Sequence, residues 1–352
     1  MMITGISYRT YRLPFVRPFS TAHGTLTARE GAILTLMTSE GVTGIGEVAP
    51  FPGLSEETLT EALTALEARI PRLRGMPLET ALALLDSEAL PASTRCGIEM
   101  ALLDALDHSG RAVFPRVRSQ VAVNATIGAQ AVEDAVQAAN QARRAGFSCV
   151  KLKVGVCKTV QQEIARVGAV RETLGSDIAL RLDANEGWTF DKAREILTQC
   201  VPFDIQYVEQ PLAAYDIENV CRLRHAVPIP LASDEAVRDI ESARNILRHK
   251  AADVLVLKPQ LTGGLRACQR IVQEAATHGV ACVLTTTLES GVSVAATARL
   301  VASLPEITLA CGLATSSLLV DDLIHEHLTV KNGVLTVPTG SGWGVMLDEA
   351  LL

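Results

Sequence analysis

A short apolar stretch that ends in a polar or charged residue recurs eight times, and this recurrence restricts the fold more than any other feature. The stretches begin at positions 121, 149, 178, 205, 228, 253, 281 and 309, so successive starts lie 23 to 29 residues apart. An amphipathic helical pattern of about ten to fifteen residues separates them, as in successive βα units. Eight such parallel strands predict a closed TIM barrel. An open doubly wound sheet is the alternative, but its phosphate-binding GxGxxG loop is absent.

The first hundred residues and the tail have a different pattern. Residues 1–48 alternate with a period of two, which predicts antiparallel strands, and helical spacing follows at 59–73 and 93–106, after a helix start at Ser55. Asn332-Gly333 lies between two alternating runs and predicts a hairpin that returns to this domain. We therefore expect an α+β capping domain over residues 1–110, completed by residues 325–352, and a barrel domain over residues 120–322.

Composition excludes several classes of partner. The chain has 32 Lys and Arg against 39 Asp and Glu, a net charge of -7 with no basic cluster, so we expect no nucleic-acid partner. No apolar run approaches the roughly 20 residues that cross a bilayer, so we expect no membrane span. The amino terminus lacks a signal-peptide pattern and the eight cysteines form no CxxC pair, which indicates a cytoplasmic protein. The apolar barrel helices leave a homo-oligomer open.

Three carboxylates stand at the ends of three successive predicted strands: Asp183, Glu209 and Asp234. In a βα barrel these ends meet at the active-site face, so the three side chains should lie side by side. Like charges at that distance cannot all stay ionised without a cation. Ligation by oxygen alone favours Mg²⁺. The alternative is that each carboxylate caps a helix or pairs with a neighbouring lysine.

Lysines flank the carboxylates on both sides. Lys151 and Lys153 share one face of the second strand, and Lys258 ends the sixth. A lysine near a dication and a second lysine should have a lowered pKa, which lets it accept a proton from the carbon beside a substrate carboxylate. Simple neutralisation of the carboxylates is one alternative. A Schiff-base aldolase is another, although it does not need three convergent carboxylates.

The motifs KLKVG, RLDANEGWT, YVEQPL, SDEA, VLKPQLTGG and TTLES, in this order, resemble the enolase superfamily in its muconate lactonising enzyme branch. The resemblance covers essentially the whole chain and implies a modified TIM barrel, (β/α)7β, under an α+β capping domain. It implies Mg²⁺, with Mn²⁺ as a substitute, on Asp183, Glu209 and Asp234. It also implies Lys153 as the acid/base catalyst, Lys258 opposite it, and a small-molecule carboxylate as the substrate.

Within that branch the chain resembles the o-succinylbenzoate synthases most. The implied reaction is a hydro-lyase step, the syn dehydration of 2-succinyl-6-hydroxy-2,4-cyclohexadiene-1-carboxylate to 2-succinylbenzoate through an enediolate, in menaquinone or phylloquinone biosynthesis. N-Succinylamino acid racemases and dipeptide epimerases are the alternatives on the same scaffold, and a non-catalytic protein is a third. Residues 19–27 and 50–54 should reach over the site, with Asn185 near the metal. The resemblance assigns substrate contacts to Lys151, Arg181, Thr285, Thr287 and Gly312.

Overall fold

The structure, a computed structural model, describes residues 1–21, 24–128 and 131–351. It begins with an antiparallel sheet in the order β1-β2-β3, formed by β1 (Ile3–Thr21), β2 (Gly24–Thr38) and β3 (Thr43–Val48). Three helices follow: α1 (Leu59–Leu73), α2 (Leu78–Ser87) and α3 (Ala92–His108). The predicted strands and helices of the cap are confirmed. Ser55 is not the cap of α1, however, because Thr58 forms a capping box with Glu61.

Close backbone packing joins the two layers of the cap. Helix α3 is buried along most of its length, and β3 lies directly on it. A Cβ atom at Gly44 would collide with the carbonyl oxygen of Ala101, so glycine is what allows this approach.

Seven parallel strands in chain order form the barrel wall. They are β5 (Ala125–Ile127), β6 (Cys149–Lys153), β7 (Ala179–Asp183), β8 (Ile205–Glu209), β9 (Leu231–Ser233), β10 (Val254–Leu257) and β11 (Ala281–Leu284). The helices between and after them are α4 (Val132–Arg144), α5 (Val160–Leu174), α6 (Phe190–Cys200), α7 (Ile217–Ala226), α8 (Ile240–His249), α9 (Pro259–Thr262), α10 (Leu265–Thr277) and α11 (Gly291–Ser303).

The predicted eighth strand closes the ring through two isolated parallel bridges. Cys311 bridges Val123 beside β5, and Gly312 bridges Thr285 at the end of β11. The architecture is therefore the expected modified TIM barrel, (β/α)7β, with a capping domain. The first predicted strand is divided, since β4 (Gln120–Ala122) leaves the barrel wall and pairs elsewhere.

The carboxy-terminal hairpin forms as predicted, but its position differs from the prediction. Strands β12 (Val330–Lys331) and β13 (Val334–Thr336) are joined by Asn332 and Gly333, both with positive φ, and β13 pairs with β4. The hairpin thus joins the segment that enters the barrel instead of the cap. The residues after it return to the cap, where the Trp343 amide donates to Asp104 of α3 at 2.7 Å.

The cap contacts the barrel at the segments that follow β10 and β11. The Gln260 side chain donates to the Glu47 carbonyl oxygen at 2.8 Å and accepts from the Ala49 amide at 3.1 Å. The buried Glu47 carboxylate accepts from the Ser290 amide and hydroxyl, at 3.0 and 2.7 Å, at the start of α11. The cap therefore lies over the carboxyl ends of the barrel strands. Within the described residues, no helix has the length and apolar character needed to span a membrane.

Candidate active site

The predicted charged residues of β6, β7 and β8 meet at one end of the barrel. Parallel pairing places Lys153 opposite Asp183 and Asp183 opposite Glu209. Asp234 directly follows β9 and Lys258 directly follows β10, which continues the row along the rim. The three carboxylates are buried, with at most 4% of each residue exposed. The strand register therefore places Lys153, Asp183 and Glu209 side by side along this rim.

The lysine side chains approach the carboxylates from two sides. Lys151 Nζ lies 2.9 Å from Asp183 Oδ2 and 2.8 Å from Glu209 Oε1, so it bridges two of them. Lys153 Nζ donates to Asp183 Oδ2 at 2.7 Å, and Lys258 donates to both oxygens of Asp234. Lys153 and Lys258 thus lie on opposite flanks of the carboxylate row. A carbon atom between them would be accessible from both faces.

Burial and charge compete in setting the protonation of this cluster. Burial disfavours ionised Asp183, but the ammonium groups of Lys151 and Lys153 outweigh it and hold the pKa of Asp183 well below its usual range. For Glu209, burial and then the negative charge of Asp183 raise the pKa. Burial would lower the pKa of Lys258, yet Asp234 and its acidic neighbours raise it. A lowered lysine pKa in the presence of a dication stays a prediction.

The donor set fits an oxygen-preferring divalent cation. Asp183, Glu209 and Asp234 supply only carboxylate oxygens, which such a cation prefers. Burial, and then the charge of Asp183, raises the pKa of Glu209, so its ionised form is unfavourable without further positive charge. Among the described residues, no three His, Cys, Asp or Glu side chains converge as a ready metal-binding group, and the Lys151 ammonium bridges two of the carboxylates. Ligation of Mg²⁺ by these three residues stays a prediction.

Two polar residues, Asn185 and Glu235, support Lys153. Asn185 Oδ1 accepts from Lys153 Nζ at 2.6 Å, and Asn185 Nδ2 donates to Glu235 Oε1 at 2.9 Å. The expectation that Asn185 lies near the metal stays a prediction, and its backbone amide donates to Asp183 Oδ1 at 3.2 Å. Glu235 orients the Asn185 side-chain amide, and Glu235 Oε2 is buried with no partner in the described residues. The left-handed backbone of Asn185 (φ 41°) redirects this side chain, which strand alternation does not reveal.

Arg181 lies beneath the charged rim. Its guanidinium carbon is 4.7 Å from the centre of the Tyr207 ring, and it donates to Gln206 Oε1 and to the Ala310 carbonyl oxygen, both at 2.7 Å. The residue is 1% exposed. Arg181 therefore fills the barrel interior beside Lys151, its register partner. Its assignment to substrate binding stays a prediction.

The three predicted contacts on the far side of the mouth lie close together. Thr285 Oγ1, at the end of β11, donates at 3.0 Å to the carbonyl oxygen of Gly312, which lies in the segment that closes the ring. Thr287 donates from both its amide and its hydroxyl to Glu289, at 2.5 and 2.6 Å. Both threonine hydroxyls thus have protein acceptors and fixed orientations.

The cap loop at residues 50–54 reaches the barrel, as expected. Arg238, in the segment after β9, donates to the Leu54 carbonyl oxygen at 3.4 Å. Arg29 of β2 is 1% exposed and bonds to the Pro50 and Thr287 carbonyl oxygens, a role that sequence reasoning missed. Nothing in the local pattern distinguishes this arginine from a solvated one. The other predicted loop, 19–27, contains His23, which lies outside the described residues.

The acidic residue Asp322, which follows the eighth strand, accepts hydrogen bonds from backbone amides. Asp322 Oδ1 accepts from the Gly291 amide at 2.7 Å and from the Leu323 amide at 2.8 Å. The Asp322 Oδ1 atom is therefore engaged by the backbone at the start of α11, whose N-cap is Ser290.

Comparisons with known proteins agree with this geometry. Residues 6–113 match the family described as "Mandelate racemase / muconate lactonizing enzyme, N-terminal domain", and residues 134–351 match "Enolase C-terminal domain-like". An o-succinylbenzoate synthase of Thermobifida fusca is 38% identical over 224 residues, covering 63% of this chain and 68% of the relative. An N-succinylamino acid racemase of Amycolatopsis sp is 28% identical over 372 residues, covering 99% of this chain and 97% of the relative. The dipeptide epimerase of Enterococcus faecalis V583, solved with Mg and L-Leu-L-Tyr, superimposes with a TM-score of 0.91 at 26% identity, covering 98% of this chain and 99% of that one.

Proposed function

Since the chain belongs to the enolase superfamily, with the N-terminal domain of the mandelate racemase and muconate lactonizing enzymes, we propose that it is an o-succinylbenzoate synthase. The reaction is the dehydration of 2-succinyl-6-hydroxy-2,4-cyclohexadiene-1-carboxylate to 2-succinylbenzoate, a hydro-lyase step of menaquinone or phylloquinone biosynthesis. The observation that carries the proposal is the placement of Lys153 and Lys258 on opposite flanks of three buried carboxylates. The 38% identity to a synthase favours dehydration among the reactions of the superfamily.

In this proposal Asp183, Glu209 and Asp234 hold Mg²⁺, with Mn²⁺ as a substitute. When bound, the cation supplies positive charge that stabilises the negative charge developing on the substrate carboxylate. The register of β7 and β8 places Asp183 beside Glu209, and all three carboxylates are buried, which supports this assignment.

Lys153 performs both proton transfers. It takes the proton from the ring carbon beside the carboxylate, and the electron pair of that C–H bond moves into the carboxylate to give the enediolate. That pair then returns to the ring and forms the new double bond as the C–O bond breaks. The same Lys153 then gives its proton to the departing hydroxyl, which leaves as water. A syn elimination presents both groups on one face, so a single acid/base residue is sufficient. Asn185 holds Lys153 Nζ at 2.6 Å and so fixes its direction of approach.

Lys258 acts on the other face of the substrate ring. As an ammonium group on Asp234, it stabilises negative charge during proton removal and can contact the ring face through a cation–π interaction. Lys151 supports the substrate carboxylate from below, next to Arg181. Thr285, Thr287 and Gly312 are proposed to contact the succinyl carboxylate, because Thr285 pairs with Gly312 where the ring closes and Thr287 follows two residues later.

A racemase or epimerase is the second candidate, and one observation favours it. The two flanking lysines would also serve removal of a proton from one face of an α-carbon and its return on the other. Similarity to an N-succinylamino acid racemase extends over 99% of the chain. A dipeptide substrate is less compatible with the site, because Asp322 Oδ1 already accepts from the Gly291 amide at the start of α11.

A side-by-side assay of the purified protein with Mg²⁺ tests the proposal. The substrates are the cyclohexadiene carboxylate and a panel of N-succinyl amino acids and dipeptides, and the readouts are aromatic absorbance and exchange of the α-proton in D₂O. Dehydration with negligible α-proton exchange supports the synthase. Fast exchange on the amino acids without dehydration would replace it with the racemase.

Location is part of the same proposal. All eight cysteines are free thiols, six of them buried, and a reducing compartment maintains that form. We place the reaction in the cytoplasm on that basis, with a small-molecule carboxylate as the partner.

A further inference from the structure

We propose that Arg29 is a positioning residue for the substrate pocket, because one buried guanidinium fastens the cap loop at Pro50 to the barrel segment at Thr287. The inference rests on the proposed function, which places Thr287 in the pocket wall. It concerns a residue of the capping domain that is not among the groups proposed to react with or bind the substrate.

The contacts of Arg29 are distributed over three segments. Its Nε donates to the Thr287 carbonyl oxygen at 3.1 Å, in the barrel segment after β11. Its Nη1 donates to the carbonyl oxygens of Pro50, at 2.9 Å, and of Glu30, at 2.7 Å, and its Nη2 donates to that of Ala49. The whole residue is 1% exposed. A buried cation whose hydrogen bonds go to backbone carbonyls of separate segments fixes those segments relative to one another.

Each polar atom of Thr287 forms a hydrogen bond in this arrangement. Its amide and hydroxyl donate to Glu289, while its carbonyl oxygen accepts from Arg29. The two side chains that bind Thr287, the Arg29 guanidinium and the Glu289 carboxylate, also attract each other electrostatically. The position of the Thr287 side chain in the mouth therefore depends directly on the Arg29 contact.

The cap loop depends on the same side chain. Arg29 bonds to two successive carbonyls, at Ala49 and Pro50, and its guanidinium carbon lies 5.4 Å from the centre of the Phe51 ring. The next residues of the loop, up to Leu54, are those expected to reach over the mouth. One group thus sets the separation between the two sides of the pocket entrance.

Lysine cannot reproduce this geometry. Arginine carries five donors in a rigid plane, whereas the three donors of lysine radiate from one atom. Substitution by lysine keeps the positive charge but leaves at least one of the separated carbonyls without a donor. The variant Arg29→Lys therefore isolates geometry from charge.

None of the bonds described for Arg29 goes to Lys153, Lys258 or the three carboxylates. We expect Arg29→Lys to raise KM about tenfold, the cost of one hydrogen bond to a charged group, while kcat stays within about threefold. The rate of backbone hydrogen exchange, measured by mass spectrometry, should increase both in peptides covering residues 49–55 and in peptides covering residues 285–289.

Arg118→Lys is the matched control. Arg118 is half-buried and donates to the carbonyl oxygens of Val301, at 2.8 Å, and Leu304, at 2.7 Å, at the carboxyl end of α11. That end lies away from the mouth, because α11 begins at the mouth with Ser290 as its cap. This variant should lose some stability with KM unchanged. Addition of methylguanidinium to Arg29→Ala should restore KM in part.

Three results would overturn the proposal: an unchanged KM in Arg29→Lys, exchange that rises in only one of the two segments, or a KM effect equal to that of Arg118→Lys. The exchange measurement needs no substrate, so it decides the role of Arg29 even if the enzyme proves to be a racemase. In that case the KM comparison is made with an N-succinyl amino acid, and failure of the proposed reaction stays distinct from failure of this inference.

Discussion

At the scale of single residues, the candidate chemistry depends on which ammonium group touches which carboxylate. Lys153 contacts Asp183 and Asn185, while Lys258 contacts Asp234 on the other flank. The two lysines are therefore not interchangeable, since only Lys153 has an amide that directs it. The hypothesis that Lys153 and Lys258 are catalytic makes predictions that differ from those of the alternative, in which they only neutralise the carboxylates.

Removal of Lys153 should abolish turnover without unfolding the protein. Lys153→Ala is expected to lower kcat by at least about 10²-fold, the usual contribution of a general acid/base group. Circular dichroism and the unfolding midpoint should remain close to wild type. Lys331→Ala, an exposed lysine of the tail hairpin, is the control and should be fully active. Full activity in Lys153→Ala would show that another group moves the proton.

Removal of one carboxylate should weaken metal binding. Asp183→Asn is expected to lower Mg²⁺ affinity, measured by titration calorimetry, by more than the ~10–100-fold that follows loss of an outer-shell partner. Asp177→Asn, at an exposed position before β7, should bind as wild type does. Equal Mg²⁺ affinities in the two variants would remove Asp183 from the ligand set.

At the scale of elements, strand register and helix caps determine where side chains stand. The register of β6, β7 and β8 places Lys153, Asp183 and Glu209 along one rim, so a shift of one residue would turn them away from the barrel interior. Helix starts are fixed locally as well: Thr159 caps α5 and Asp239 caps α8, each with a reciprocal side-chain bond.

Loss of the capping box of α1 should reduce stability in a predictable way. Thr58→Ala removes the acceptor for the Glu61 amide and should lower the free energy of unfolding by ~1 kcal/mol in urea denaturation. Thr64→Ala, at an exposed position inside the same helix, should change it by no more than about 0.5 kcal/mol. Equal losses in the two variants would show that helix propensity, not the cap, controls this end of α1.

At the scale of the whole molecule, the tail, the cap sheet and α3 meet on one buried carboxylate. Asp104 accepts from the Ile45 amide at 2.8 Å and from the Trp343 amide at 2.7 Å, and burial raises its pKa from 3.8 to about 7. Asp107, His108 and Arg299 lie nearby. The contact joins residues that are more than 200 positions apart in sequence.

This carboxylate should make stability depend on pH. Between its unfolded and folded pKa values the folded chain retains a proton that the unfolded chain releases, so the free energy of unfolding falls as pH rises from about 4 to 7. One such group contributes at most ~1.4 kcal/mol per pH unit. Urea denaturation across this range should show a shallower decline in Asp104→Asn than in wild type. An identical slope in both proteins would assign the dependence to other groups.

Much of the architecture follows from local patterns. The spacing of the strands indicated the barrel, and the charged strand ends indicated Asp183, Glu209, Asp234 and the lysines, because parallel strands of one barrel must end on one face. Alternation also indicated the cap strands, and Asn332-Gly333 indicated the hairpin turn. These features depend on residues that lie close together in the chain or on a strand pattern that recurs eight times.

Long-range contacts decided the rest. The pairing of the hairpin with β4 instead of the cap, the Asn185–Glu235 contact and the bond from Arg29 to Thr287 join segments separated by 50 to 258 positions. A periodic pattern specifies which face a side chain occupies but not which distant carbonyl or carboxylate it meets. Loop conformations such as the left-handed Asn185 change that direction again. The sequence by itself therefore determined the barrel and its charged rim, and only the tertiary structure decided which groups hold that rim in place.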